Sequence, residues 1–229
     1  LEGTGEIHSN GGAGHEGGWA GQGGGGSGGR IALEYQELSG FTGHIYAHGA
    51  NRAGGGDTGG AGTVYYEQIG VHPDQGGDLY IDNNGNNHRH SGIVESSCTD
   101  QPSPAHGGCT FNSIILGTDL NGDSLQGFGH LDFLGTGSAL TINSSTIIGD
   151  GTSKLDSYGT VYISDNPYTI SHAGLRIKGN LARISGSVDD LDLNVGSSGE
   201  LDLSANTPWK SGLYTFNSLA VENTGKLSL

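Results

Sequence analysis

Gly5-Glu6-Ile7-His8-Ser9-Asn10 returns as Gly43-His44-Ile45-Tyr46-Ala47-His48 and again, at nearly even spacing, as Gly77-Asp78-Leu79-Tyr80-Ile81-Asp82. A second block, Gly29-Arg30-Ile31-Ala32-Leu33-Glu34-Tyr35-Gln36, is matched one repeat later by Gly62-Thr63-Val64-Tyr65-Tyr66-Glu67-Gln68. Both blocks carry short apolar-polar alternation, the signature of strands with one buried face. Each repeat therefore reads strand, glycine-rich excursion, strand, polar turn. Such a unit cannot bury its apolar face alone, but stacked on a neighbour it shares a narrow core. The pattern predicts an all-β chain folded as a parallel β-helix, a β-solenoid with glycine-rich insertions.

The excursions carry their own signal. Residues 11–29 hold twelve glycines and residues 49–62 hold seven, at the same point of successive repeats. Two readings stand side by side: flexible loops, or extended polyglycine-II-like rods, bonded through backbone groups because no Cβ keeps them apart. Trp19 is expected to shield such a glycine layer.

After Cys109 the glycine density falls and short alternating runs take over, among them Val161-Tyr162-Ile163, Leu175-Arg176-Ile177, Leu191-Asp192-Leu193, Leu201-Asp202-Leu203, Leu219-Ala220-Val221 and Leu227-Ser228-Leu229. Two echoes tie them together: Phe111-Asn112-Ser113-Ile114 with Phe216-Asn217-Ser218-Leu219, and Gly199-Glu200-Leu201-Asp202-Leu203 with Gly225-Lys226-Leu227-Ser228-Leu229. A β-sandwich shares this strand spacing and is the competing fold. The division expected is glycine-rich β-solenoid repeats over 1–97, a disulfide-closed loop over 98–109, and β-helix rungs with shorter turns over 110–229. The rungs are expected to continue beyond this stretch, which carries no initiator Met or visible signal peptide.

Composition narrows the function. Only 32% of the 229 residues are apolar, and no window keeps the i, i+3, i+4, i+7 spacing of a packed helix. The formal charge of −15 argues against nucleic acid and anionic lipid as partners, and no run approaches the ~18 apolar residues of a membrane span. The two cysteines, Cys98 and Cys109, close one polar loop and read as a disulfide, which places the chain in an oxidising, extracellular setting. Asn143-Ser144-Ser145 is a glycosylation acceptor.

Gly-Gly-Gly-Gly-Ser-Gly-Gly-Arg-Ile-Ala-Leu at 23–33 and Gly-Gly-Ala-Gly-Thr-Val-Tyr-Tyr at 59–66 resemble stretches of large glycine-rich surface proteins of bacteria, algae and other protists. Phe-Asn-Ser-Leu-x-Val-x-x-x-Gly-x-Leu at 216–227 resembles right-handed parallel β-helix passengers and adhesins. The resemblance implies an extracellular structural or adhesive module that assembles with itself or with other surface-protein subunits, as flagellar hairs do, and that can meet glycans.

Parallel β-helices also include polysaccharide-degrading enzymes, and a catalytic reading rests on two stretches. Arg176-Ile177-Lys178 resembles the substrate clamp of polygalacturonases and Asp189-Asp190 their paired acids. The family order is reversed here, however, and His172 stands in Ser-His-Ala-Gly rather than Gly-His-Gly. Adjacent acids on a strand also point to opposite faces, whereas an acid-base pair needs one cleft. No catalytic residue is therefore assigned, and a carbohydrate-binding or carbohydrate-cleaving β-helix is the alternative.

Asp119, Asn121 and Asp123 begin like a calcium loop, making Ca²⁺ the one cofactor suggested, but position 12 falls on His130 where a carboxylate is needed. His88-Arg89-His90 reads as a solvated loop. Tyr35, Tyr46, Tyr65, Tyr66 and Tyr80 recur at comparable places, predicting an aromatic ladder if buried or a sugar-gripping face if exposed.

Overall fold

The computed structural model describes residues 1–17, 21–51, 57–70, 76–85, 91–93, 109–117, 129–133, 139–142, 146–149, 153–157, 160–163, 168–171, 173–177, 181–183, 192–196, 198–202, 216–222 and 224–228. These residues form strands, turns and extended segments, with no helix among them. The chain is all-β, as its periodicity and its shortage of helix-forming runs require.

Residues 1–70 make two similar units. In the first, β1 (Glu6–His8) runs out through a glycine arm to a tip where β2 (Glu16–Gly17) and β3 (Gly21–Gln22) pair antiparallel. A second arm then brings the chain back to β4 (Arg30–Tyr35). In the second unit β5 (His44–Tyr46) leads out and β6 (Thr63–Gln68) returns. The units stack in parallel: Ile7 pairs with Ile45 and Ile31 with Val64, the same partners that the sequence repeats align. Phe41, Ile45, Ala47, Val64 and Tyr66 are buried between the layers, with Ile7, Ile31 and Leu33 packed against them.

The third sequence echo behaves differently. β7 (Asp78–Ile81) does not extend the β1–β5 sheet; it pairs antiparallel with β6, Tyr65 opposite Leu79, and parallel with β10 (Ser113–Leu116) on its other side. The expectation of parallel pairing is thus corrected at this joint, as it is at the β2–β3 tip. β6 and β7 are consecutive in the chain and lie side by side, an arrangement that antiparallel pairing serves.

Beyond the joint the strands fall into three sheets. β7, β10, β13 (Thr146–Ile148), β16 (Tyr168–Ser171), β19 (Asp192–Val195) and β21 (Ser218–Val221) continue the first. The second is β8 (Ser91–Ile93), β11 (His130–Phe133), β14 (Lys154–Ser157), β17 (Gly174–Ile177), β20 (Glu200–Asp202) and β22 (Lys226–Ser228). The third is β9 (Cys109–Phe111), β12 (Ala139–Ile142), β15 (Thr160–Ile163) and β18 (Leu181–Arg183). From β10 to β18 the chain visits first, second and third sheet in that order, three times over, and every pairing in this region is parallel.

The register places like on like. Leu131, Leu155, Leu175, Leu201 and Leu227 form one column across the second sheet, and Leu79, Ile114, Ile147, Ile170, Val195 and Val221 form another across the first. Cys109, Leu140 and Val161 line the third. Up to the end strands, where Leu227 is partly covered and Val221 exposed, all three columns face one continuous core. Neighbouring strands lie ~4.8 Å apart, so identical branched side chains meet at van der Waals distance, and each such burial contributes roughly 1.5–3 kcal/mol. A slip of one residue would turn a whole column to solvent, which is what fixes the register.

Candidate functional site

No reaction centre dominates the described residues; what stands out is how the glycine arms pack. The first arm, from Ser9, and the second, to Gly29, run antiparallel with donors at every third residue: Gly23, Gly26 and Gly29 donate their N–H to the carbonyls of His15, Gly12 and Ser9, at 3.1, 2.8 and 2.7 Å. Between units the same step recurs in parallel, Gly11 to His48 and Gly14 to Asn51, Gly25 to Asp57 and Gly28 to Gly60. Within the second unit Gly59 donates to Ala50 and Gly62 to Ala47, while Ala50 donates across to Gly26. Successive donors on one arm thus serve different neighbours, and each neighbour is met once per three residues. Four arms form a lattice rather than a sheet.

Glycine is required by proximity. A Cβ on Gly11 would stand 1.9 Å from the carbonyl oxygen of Gly26, one on Gly28 2.0 Å from that of Ala47, and one on Gly62 1.8 Å from that of Gly29. At Gly12 the space is open. The arms approach closely enough for Cα–H groups to face carbonyl oxygens, a weak contact repeated along their length.

A polar cluster ties the lattice to the next strand. Asn10, His48 and Asp82 occupy equivalent places in the three sequence echoes, and the structure brings them together. His48 donates its backbone N–H to Asn10 Oδ1 at 2.8 Å, and its Nε2 lies 2.9 Å from Asp82 Oδ2. Gly49 N–H donates to Asn83 Oδ1 at 2.8 Å, and Asn83 Nδ2 donates to the Gly59 carbonyl at 3.1 Å. Asn84 N–H donates to Asp82 Oδ1, with Asn84 itself at φ +48°, a conformation Asn tolerates better than most residues. His48, Asp82 and Asn83 are all buried, so each of these bonds replaces water that cannot reach them.

The tyrosines divide between the two readings. Tyr66 is buried at 2% exposure and meets Tyr80 edge-on at 5.1 Å, the aromatic packing expected of a stabilising ladder. Tyr46 stacks on His48 at 4.7 Å and meets His8 edge-on at 5.9 Å. Its hydroxyl is held protonated, with the pKa pushed up to about 12, first by a hydrogen bond to Glu6 and then by burial. Tyr65 is half-buried; its hydroxyl donates to Glu67 Oε2 at 2.8 Å and accepts from Gly77 N–H at 2.7 Å. Burial and the Glu67 bond raise its pKa as well.

On the outer face of the second sheet His130, Lys154, Gly174, Glu200 and Lys226 form a column in register. Gly174 supplies no side chain, which opens a groove of about 210 Å³ lined by Ser153, Lys154, Ser198, Glu200, Thr224 and Lys226. Lys154 Nζ reaches across it to within 3.8 Å of Glu200 Oε2. Neither the cluster nor the groove was singled out from the sequence. For the cluster, the available signal was the recurrence of Asn10, His48 and Asp82 at the end of each echo.

Cys109 is fully buried in the third sheet and engaged in a disulfide. Cys98 lies outside the described residues, as do Trp19, the calcium candidates Asp119, Asn121 and Asp123, the glycosylation acceptor Asn143, and His88, Arg89, His90, His172, Lys178, Asp189 and Asp190. Arg176 lies in β17, in register with Asp156 and Asp202. Among the described residues no three His, Cys, Asp or Glu side chains gather as metal ligands, and no helix is long and apolar enough to cross a membrane.

Compared with known proteins, the chain matches no family model, no curated protein and no solved structure.

Proposed function

We propose that this chain is a structural or adhesive module of an extracellular surface or filament protein: a parallel β-helix that carries two stacked, polyglycine-II-like hairpins at one end. The observation that carries the reading is the in-register column of five leucines, Leu131 to Leu227, drawn from five successive passes of the chain. A chain that stacks like on like in this way makes a rod whose length grows with each pass, and its function is that geometry. The glycine lattice supports the same reading, because it builds width and stiffness from backbone bonds without a wide apolar core. The disulfide at Cys109 fits an oxidising compartment. A charge of −15 keeps such rods from collapsing on one another and disfavours nucleic acid. Its partners are then further copies or other subunits of the same surface layer.

Electron microscopy of negatively stained protein, joined to amide exchange of the glycine arms, tests this directly. Slender rods or regular filaments with slow exchange at Gly11, Gly14, Gly26 and Gly28 are expected. Compact isotropic particles, or arms that exchange as fast as an unfolded peptide, would overturn it.

A further inference from the structure

The Gly174 groove is a concave polar surface on the outer face of the second sheet that combines opposite charges with an open floor. Lys154 and Glu200 sit two strands apart, a backbone distance of about 9.5 Å, and only the missing side chain at Gly174 lets them face one another. At 3.8 Å they form a long ion pair, and both side chains are partly exposed, so the ammonium still has donors and the carboxylate acceptor sites that another molecule can reach. Lys226 stands in register beside Glu200 and makes no ion pair among the described residues. The hydroxyls of Ser198 and Thr224 border the same groove, Thr224 Oγ1 already accepting from Ser198 N–H at 2.8 Å.

We propose that this groove binds a neutral sugar unit through two adjacent hydroxyls, one accepting from Lys154 and the other donating to Glu200. The pairing of a donor side chain with an acceptor side chain across a shared floor is what a vicinal diol requires, since each hydroxyl both donates and accepts. The groove carries both signs, Glu200 facing Lys154 and Lys226, so a neutral ligand whose hydroxyls both donate and accept can meet each of them, and an anionic sugar is the competing outcome of the test. Size agrees, because about 210 Å³ falls below the ~300 Å³ at which drug-sized pockets begin and suits one ring of a longer polymer. The lining offers no aromatic platform, so the site binds weakly. The site uses outward side chains only, so its failure would leave the rod reading untouched.

Titrating the protein with cellotetraose, maltotetraose and mannotetraose while following amide signals by NMR provides the test, with tetragalacturonate as the anionic counterpart. At least one neutral tetrasaccharide is expected to shift Gly174, Ser198 and Glu200 saturably, with affinity reduced at least fivefold in Lys154→Gln and in Glu200→Gln. Gly174→Leu should abolish binding by filling the floor; its Cβ would lie 3.2 Å from Lys154 Cγ, which a flexible side chain can relieve. The two variants at partly exposed positions decide the matter even if that third variant folds poorly. No saturable shift with any neutral sugar, equal binding by all variants, or binding confined to tetragalacturonate would each overturn the proposal.

Discussion

His48 Nε2 and Asp82 Oδ2, far apart in sequence, meet at 2.9 Å, and both side chains are shielded from solvent. This contact joins the second glycine arm to the strand at which pairing reverses direction.

Removing one partner leaves the other buried without its bond, a loss of roughly 1–3 kcal/mol and more when the orphan is charged. His48→Ala is expected to lower the urea midpoint accordingly, and Asp82→Ala likewise, with the double variant costing less than the sum. Strict additivity in that cycle would show that the two side chains do not interact.

Alanine substitution in the arms separates a lattice from a loop. Gly11→Ala, Gly28→Ala and Gly62→Ala each force a methyl into a carbonyl oxygen at 2.0 Å or less and are expected to destabilise by ~2–3 kcal/mol, the upper range of overpacking. Gly12→Ala, with open space around it, should stay within about 0.5 kcal/mol of the parent. Thermal unfolding of the four variants is sufficient, and a flat series would refute ordered packing of the arms.

Leu155→Ala removes the second member of a column whose first four leucines are all but excluded from water. A cost of about 2–5 kcal/mol is expected from the lost burial and the cavity left behind. Leu227→Ala, at the less covered end of the same column, should cost clearly less. Equal penalties would contradict a column buried between neighbours.

The tyrosines give an alkaline signature. Tyr46 ionises near pH 12 in the folded chain against an ordinary 10.0, and Tyr65 is shifted the same way. A raised folded pKa means that the folded state holds its proton more tightly. The associated stability is therefore complete below pH 10 and is lost as pH climbs from 10 toward 12. Tyrosinate absorbance should show delayed ionisation that Tyr46→Phe and Tyr65→Phe each reduce, and a single titration at the ordinary value would contradict the Glu6 and Glu67 bonds.

The repeats were legible where successive passes kept a recognisable phrase. Gly199–Leu203 and Gly225–Leu229 stand one pass apart, and the structure pairs Glu200 with Lys226 and Leu201 with Leu227, as the phrases align them. The step from Leu131 to Leu155 is longer than the step from Leu155 to Leu175, so turns of unequal length hide a column that the core keeps straight. The echo between Phe111–Ile114 and Phe216–Leu219 misled in detail. Both stretches reach the first sheet, but Ile114 shares its column with Val221 and not with Leu219. The antiparallel joint at β6–β7 was illegible because alternation gives a strand its faces and not its direction. The Gly174 groove depends on residues from separate passes, a juxtaposition that register alone creates.

The three-residue step of the arms has a consequence for how such proteins change in length. Adding one residue to an arm moves every later donor off its partner, whereas adding three restores the step that the hydrogen bonds keep. Insertions and deletions in these segments should therefore survive in triplets, making the arms a ruler graduated by their own hydrogen bonds.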